Sequence, residues 1–427
     1  LHDRPHADDA VARFLREEYG PPVILPEEDA GDGIIRIGRR GGIYDAHGGE
    51  RGEERDCETT LVARYLGITE RPELRALLTH VLAVDAYGHQ KGMFRFGRLV
   101  ERMWFVYPQE SWRIEHWARL LVRAAVLYES GKTRAIQVPA SEIIACIRHA
   151  WDGASRGFGA DVRAAIEPRI AELDEHSAIM PFGLLYSAIV LWKMFAKREP
   201  AVRRIWSKFE VSRVRLARQW LVAWLEDAMR AELIWQLLFV QARQDVERAS
   251  ADGRLLMGDI VIRGVPVRVA TVTSSEIRIH SALMAEFPDL FALAVRDWST
   301  GNVRILRRNF RRPVKQSLQF VVAQVRAAER ALRREPAASW DELVSQMGPA
   351  GTRWFYQHAT QNILNGALTE KVEPTELDDA MIQRCLVRGL DESWWEWRAA
   401  FLREHGGRTR RDQAEAEALR GSGETIE

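Results

Sequence analysis

The sequence predicts an α/β protein: a parallel-sheet domain at the amino terminus, then a large α-helical region, then a small α/β module. Three observations carry this. Over residues 1–92, short β-branched runs alternate with helical patterns, the signature of strands interleaved with helices. Over residues 93–250, apolar residues recur almost throughout at helical spacing. Over residues 251–335, strand-like runs return, punctuated by glycines. A mixed segment, 336–405, follows, and a polar, Gly-rich tail, 406–427, is expected to be disordered.

In the first segment, Asp8 and Asp9 stand where a helix begins, and Ala10, Val11, Phe14 and Leu15 give that helix an apolar face. Pro21-Pro22 ends it. Val23-Ile24-Leu25, Ile34-Ile35-Arg36-Ile37 and Ile43-Tyr44 are too short for helices and rich in β-branched residues, so they predict strands. Glu58 to Leu66 and Glu73 to Val84 predict helices. The region 93–250 is dense in tryptophan (Trp104, Trp112, Trp117, Trp151, Trp192, Trp206, Trp220, Trp224 and Trp235), which at helical spacing points to packing rather than base stacking. Glu199-Pro200 separates two helices. Farther on, Leu255 to Met257, Asp259 to Ile262, Val265 to Val272, Phe291 to Val295 and Val303 to Leu306 read as strands, with Gly253, Gly258 and Gly264 as turns. Ser281 to Glu286 reads as a short helix, Asp297 to Asn302 as a hairpin turn, and Val314 to Arg334 as helical.

Composition narrows the class. The 427 residues exceed what one core usually holds, so two or three domains are expected. With 61 basic and 60 acidic residues, the chain is no globally basic nucleic-acid binder. Cys57, Cys146 and Cys385 are scattered and form no CxxC pair, which predicts a reducing, cytoplasmic setting without disulfides or structural zinc. The most apolar run, Phe182 to Phe195, is interrupted by Lys193 and is shorter than the roughly 20 residues a membrane span requires, so no membrane role is expected. Walker loops, dinucleotide glycine fingerprints, G-x-S-x-G and H-E-x-x-H are absent.

Two clusters carry chemistry. The chain opens His2-Asp3-Arg4-Pro5-His6-Ala7-Asp8-Asp9, and later reads Ile43-Tyr44-Asp45-Ala46-His47-Gly48-Gly49. Imidazole and carboxylate at such spacing suit a hard divalent ion. Each residue has a plainer reading: Asp8 and Asp9 suit a helix amino terminus, Asp45 and His47 suit a turn, and Asp85 suits a helix end.

The spacing H-x3-H-x-D of His2, His6 and Asp8 resembles the H-x3-D-x-D motif of the DHH phosphoesterases and family II inorganic pyrophosphatases. The second histidine is similar to the opening motif of Myg-type exonucleases. Asp45-Ala46-His47 lies where that superfamily carries Asp-His-His, and Leu82 to Gly88 resembles a Myg-type segment in which Asp85 is the matching acid. The resemblance covers about 90 residues. It implies a DHH-like fold over 1–92, with one or two Mn²⁺ or Mg²⁺ ions held by His2, His6, Asp8, Asp45 and Asp85. It also implies catalysis by Asp45, His47 and Asp85 through a metal-activated water. The module at 251–335 is compatible with the substrate-binding domain of that superfamily. Three positions depart from the pattern: His6 replaces an Asp, Ala46 replaces a His, and Arg36 stands on the strand where another Asp is usual.

Between Trp298 and Ala328 there is no acidic residue, while Arg304, Arg307, Arg308, Arg311, Arg312 and Lys315 cluster around Phe310. Such a segment attracts phosphates, and Arg307, Arg308, Arg311 and Arg312 are the candidate phosphate ligands. A solvated basic face is the plain alternative. The expected function is a metal-dependent, exonuclease-like phosphoester hydrolase, compatible with a homodimer. Its substrate would be a phosphorylated small molecule or single-stranded nucleic acid. The alternative is a decayed DHH-like scaffold that binds RNA, a nucleotide or a protein, to which Arg36 and Ala46 point.

Overall fold

A computed structural model describes residues 7–20, 57–85, 96–129, 140–172, 213–308, 317–357, 361–365 and 372–407. The chain divides into two compact units, 1–237 and 238–427.

Among the described residues, the first unit is helical: α1 (Ala7–Tyr19), α2 (Glu58–Tyr65), α3 (Pro72–Asp85), α4 (Phe96–Val106), α5 (Ser111–Glu129), α6 (Ala140–Ala154), α7 (Ala160–Ala164), α8 (Glu167–Glu172) and the start of α9 (Arg213–Ala251). The three helices expected before residue 86 are all present. The predicted strands at 23–25, 34–37 and 43–44 lie outside the described residues, as do the Glu199-Pro200 break, the apolar run 182–195 and the tail from 408.

The periodicity of α1 explains its burial. Val11, Ala12, Phe14 and Leu15 are almost wholly buried, together with Leu61, Val62, Leu74, Leu78 and Val81 from α2 and α3 and Val122 and Val126 from α5. Arg13 pairs with Glu115 at 2.5 Å and Arg119 with Glu17 at 2.8 Å, and Arg123 pairs with Glu18, so α5 runs alongside α1 in the same direction. The tryptophans behave as expected where described: Trp224 is buried, and Trp235 packs on Phe105 with ring centroids 5.4 Å apart. Trp112 is the exception and is exposed. Beside the Phe105–Trp235 contact, the buried Arg102 forms an ion pair with the buried Glu232.

The second unit is built on a six-stranded mixed sheet in the order β1-β2-β3-β4-β6-β5. β1 (Leu255–Ile262) and β2 (Val265–Thr273) form an antiparallel hairpin. The helix α10 (Ile279–Glu286) then crosses over to β3 (Leu290–Arg296), which is parallel to β2. β4 (Val303–Arg307) returns beside β3, with Asp297 accepting from the Ser299 and Thr300 amides at 2.8 and 3.1 Å in the turn between them. After α11 (Gln319–Leu332) and α12 (Trp340–Val344), β5 (Trp354–Gln357) and β6 (Asn362–Asn365) complete the sheet; α13 (Asp379–Leu390) and α14 (Trp395–Glu404) follow.

Alternation sorts the strands between two cores. Ile260, Ile262, Val267, Val269, Val303 and Ile305 face α11 and α13. Ala270, Val272, Leu293 and Val295 face α10 and the end of α9.

Three features differ from the sequence reading. The segments 251–335 and 336–405 share one sheet, because β6 pairs with β4, matching Ile305 with Ile363. The helical region does not end at a domain boundary: α9 extends across the division at residue 237. Gly258 is not a turn residue but lies inside β1, where a Cβ would stand 2.9 Å from Gln383 Nε2 and 3.3 Å from Val387 Cγ2 of α13. The strand lacks a side chain there because a helix lies against it.

Candidate functional site

Asp8 is the best-defined of the predicted ligands. It lies in the first turn of α1, is 3% exposed, and reaches the amino terminus of α2. Its carboxylate accepts the Glu58 and Thr59 amides, both at 2.8 Å, and the Thr59 hydroxyl donates to the Asp8 carbonyl at 2.9 Å. The first amides of a helix have no partner within it, and an anionic acceptor there also meets the positive end of the helix dipole. Cys57 occupies the capping position of α2 in a capping box, its thiol accepting from the Thr60 amide and its own amide donating to the Thr60 hydroxyl at 3.0 Å, while Asp8 takes the next two amides from fifty residues away. Burial, reinforced by the neighbouring Asp8 charge, raises the Cys57 pKa and keeps the thiol protonated.

That cap orients the surrounding helices. α1 and α2 lie side by side in the same direction: Asp8 joins their amino-terminal ends, and Tyr19, the last residue of α1, lies under the Arg71 guanidinium just beyond α2, 4.8 Å from ring centroid to cation. α3 begins at that second end and buries Leu74, Leu78 and Val81 in the shared core. Asp85 is its last residue. His6 immediately precedes α1, and the Asp45–His47 segment shortly precedes α2. Four of the predicted groups, His2, His6, Asp45 and His47, lie outside the described residues, as does the Asp85 side chain. Among the described residues, no three His, Cys, Asp or Glu side chains converge as a metal would require.

The predicted phosphate ligands are held in the second unit. Arg308 donates to the carbonyls of Met284 at 3.0 Å and Pro288 at 2.8 Å, closing the carboxyl-terminal end of α10. Arg307 is half-buried near Tyr356, and burial lowers its pKa. Arg311 and Arg312 lie outside the described residues. Arg304, also in the basic segment, lies close enough to His280 on α10 to contribute to that residue's depressed pKa.

The carboxyl ends of the parallel pair β2 and β3, where open α/β sheets commonly bind ligands, hold a polar network that sequence reasoning did not single out. Ser274 donates to Asp245 at 2.6 Å, and Arg254 pairs with Asp245 at 3.2 Å and Asp252 at 2.8 Å. Thr273 donates to Asp379 at 2.5 Å, and Arg296 pairs with the same carboxylate at 2.6 Å. Opposite charges are matched here, so the network braces α9 and α13 against the strand ends.

No protein family, curated protein or solved structure matches the chain.

Proposed function

We propose that the protein is a metal-dependent phosphoesterase acting on a nucleotide or short oligonucleotide. The observation that supports this reading is the link between the first two helices: Asp8 brings the amino-terminal ends of α1 and α2 together. In the sequence, His2 and His6 stand before α1, Asp45 and His47 before α2, and Asp85 at the close of α3.

In this reading Asp45 and Asp85 are the principal carboxylates for Mn²⁺ or Mg²⁺, and His2, His6 and His47 add neutral nitrogen ligands. A bound ion of this kind supplies a water of lowered pKa and neutralises charge on the phosphoryl oxygens. Asp8 positions the two helices on which the site rests.

A second reading, a nucleotide-binding or protein-binding scaffold without turnover, is favoured by one specific observation: the Asp8 carboxylate is already engaged by two amides of α2. Hydrolysis of a labelled dinucleotide separates the two. The enzyme reading expects turnover that requires Mn²⁺ or Mg²⁺, stops on chelation and is lost in Asp45→Ala. Turnover unchanged by both treatments overturns it, and nucleotide binding without turnover selects the scaffold.

A further inference from the structure

β1 is an edge strand, and its outer side is only partly closed. The Thr273 amide donates to the Arg254 carbonyl, so the even-numbered residues of β1 point their backbone groups at β2 and the odd-numbered ones point outward. At the carboxyl-terminal end that outer side is occupied: the Val261 amide donates to Asp391 Oδ1 at 3.2 Å, and the Gly264 amide just beyond donates to Glu392 Oε1 at 3.0 Å. The amides and carbonyls of Leu255, Met257 and Asp259 have no such partner among the described residues. The opposite edge differs, because the Tyr356 amide of β5 donates to the Gln346 carbonyl and the Trp354 carbonyl accepts from Arg326.

An open groove of about 430 Å³ adjoins the open stretch at Asp259, at the carboxyl-terminal end of β1, lined by Asp259, Ile260, Val261, Pro266, Asp391 and Glu392, with Ser393 beside them. Its lining combines apolar side chains with three carboxylates. Arg268, the cross-strand partner of Asp259, is bonded to Asp289 at 2.5 and 2.6 Å and feels the Asp259 charge, and Arg398 feels those of Asp391 and Glu392, so the three groove carboxylates are partly offset. Met257 and Val261 are large apolar side chains left exposed on the same strand.

We propose that this edge is a docking site for a basic, extended peptide that adds a strand beside β1. Backbone pairing with Leu255, Met257 and Asp259 supplies the affinity. Lysine or arginine side chains on one face of the added strand meet Asp259, and apolar ones on the other face lie on the side of Gly258 and Ile260. The acidic lining favours a basic occupant over a second copy of the chain, whose edge carries the same carboxylates. The inference does not depend on the phosphoesterase reading.

The test titrates the full-length protein into a fluorescein-labelled peptide of about ten residues, a common strand length, alternating valine and lysine. Anisotropy is expected to show saturable binding that weakens with added salt, and amide exchange is expected to slow at Leu255, Met257 and Asp259. Met257→Pro removes one outward amide at a position where an edge strand accepts proline, and Asp259→Lys reverses a charge on an exposed side chain. Each is expected to lower affinity tenfold or more, and a peptide N-methylated at alternate residues is expected not to bind. Absence of saturable binding, wild-type affinity in Asp259→Lys, equal binding of an alternating valine–glutamate peptide, or exchange protection elsewhere overturns the proposal. A dimer that Met257→Pro dissociates also overturns it and assigns the edge to a second copy.

Discussion

At the scale of single residues, polar side chains act mainly through partners distant in sequence. Asp8 belongs to a candidate metal motif, yet its visible work is to cap α2. Replacing it with alanine leaves two amides without their acceptor and is expected to cost about 1–3 kcal/mol, read as a lower urea midpoint. Asp8→Asn retains one acceptor oxygen and is expected to cost less. His280 makes a pH-dependent contribution. Burial, aided by the charges of Arg304 and Arg278, depresses its pKa to about 4. In the unfolded chain a histidine titrates near 6.5. Above that pH both states are neutral, and the contribution is flat. Between 6.5 and 4 only the unfolded chain takes up the proton, so stability falls as the pH falls. Below 4 both states are charged and the loss levels off, at no more than about 3 kcal/mol. Urea midpoints at a series of pH values are expected to show this slope in the wild type and a shallower one in His280→Gln.

At the scale of elements, one buried cation organises the second unit. Arg326 on α11 is fully buried and donates to the carbonyls of Leu343, Ser345, Gln346 and Trp354 at 2.6–3.0 Å. It thereby holds the end of α12, the following loop and the start of β5 against one helix. Its charged form is the working one: burial lowers its pKa, to about 10, and that still leaves it protonated at neutral pH. Arg326→Met fills similar space but strands four carbonyls. The expected loss is about 3 kcal/mol or more, and amide exchange is expected to quicken first at Tyr356, whose amide pairs with Gln346. Close packing adds a second constraint on these helices. Gly389 of α13 sits where a Cβ would lie 3.0 Å from the Val321 amide nitrogen of α11, so the two helices meet at backbone distance over the sheet.

At the scale of the whole molecule, the proposed metal ligands all belong to the first unit. Elemental analysis of the full chain is expected to find one or two manganese or magnesium ions per chain, with the content reduced in Asp45→Ala. Unchanged metal content in that variant removes Asp45 from the site. The three thiols do not complicate the measurement, because Cys57, Cys146 and Cys385 are buried and form no disulfide, and burial pushes Cys385 up to about 12. Among the described residues, no helix is long and apolar enough to cross a membrane.

Much of the element order was legible in the sequence. The apolar spacing of α1 to α3 and the short apolar runs of β2 to β4 are local signals, set by neighbours a few residues apart, and the turn at Asp297–Asn302 announces itself through its own side chains. The candidate site was legible only as a list of residue types. Nothing local tells Asp8 that its partners are the amides of Glu58 and Thr59, tells Arg308 that it will close α10, or tells Ile363 that it will pair with Ile305. A hydrogen bond is decided by which groups lie within about 3 Å, and a strand pairing by which edge remains open. Both depend on how distant segments pack, so local spacing sets the helices, the strands and their buried faces, whereas packing selects which polar groups cap, pair or stay open to a partner.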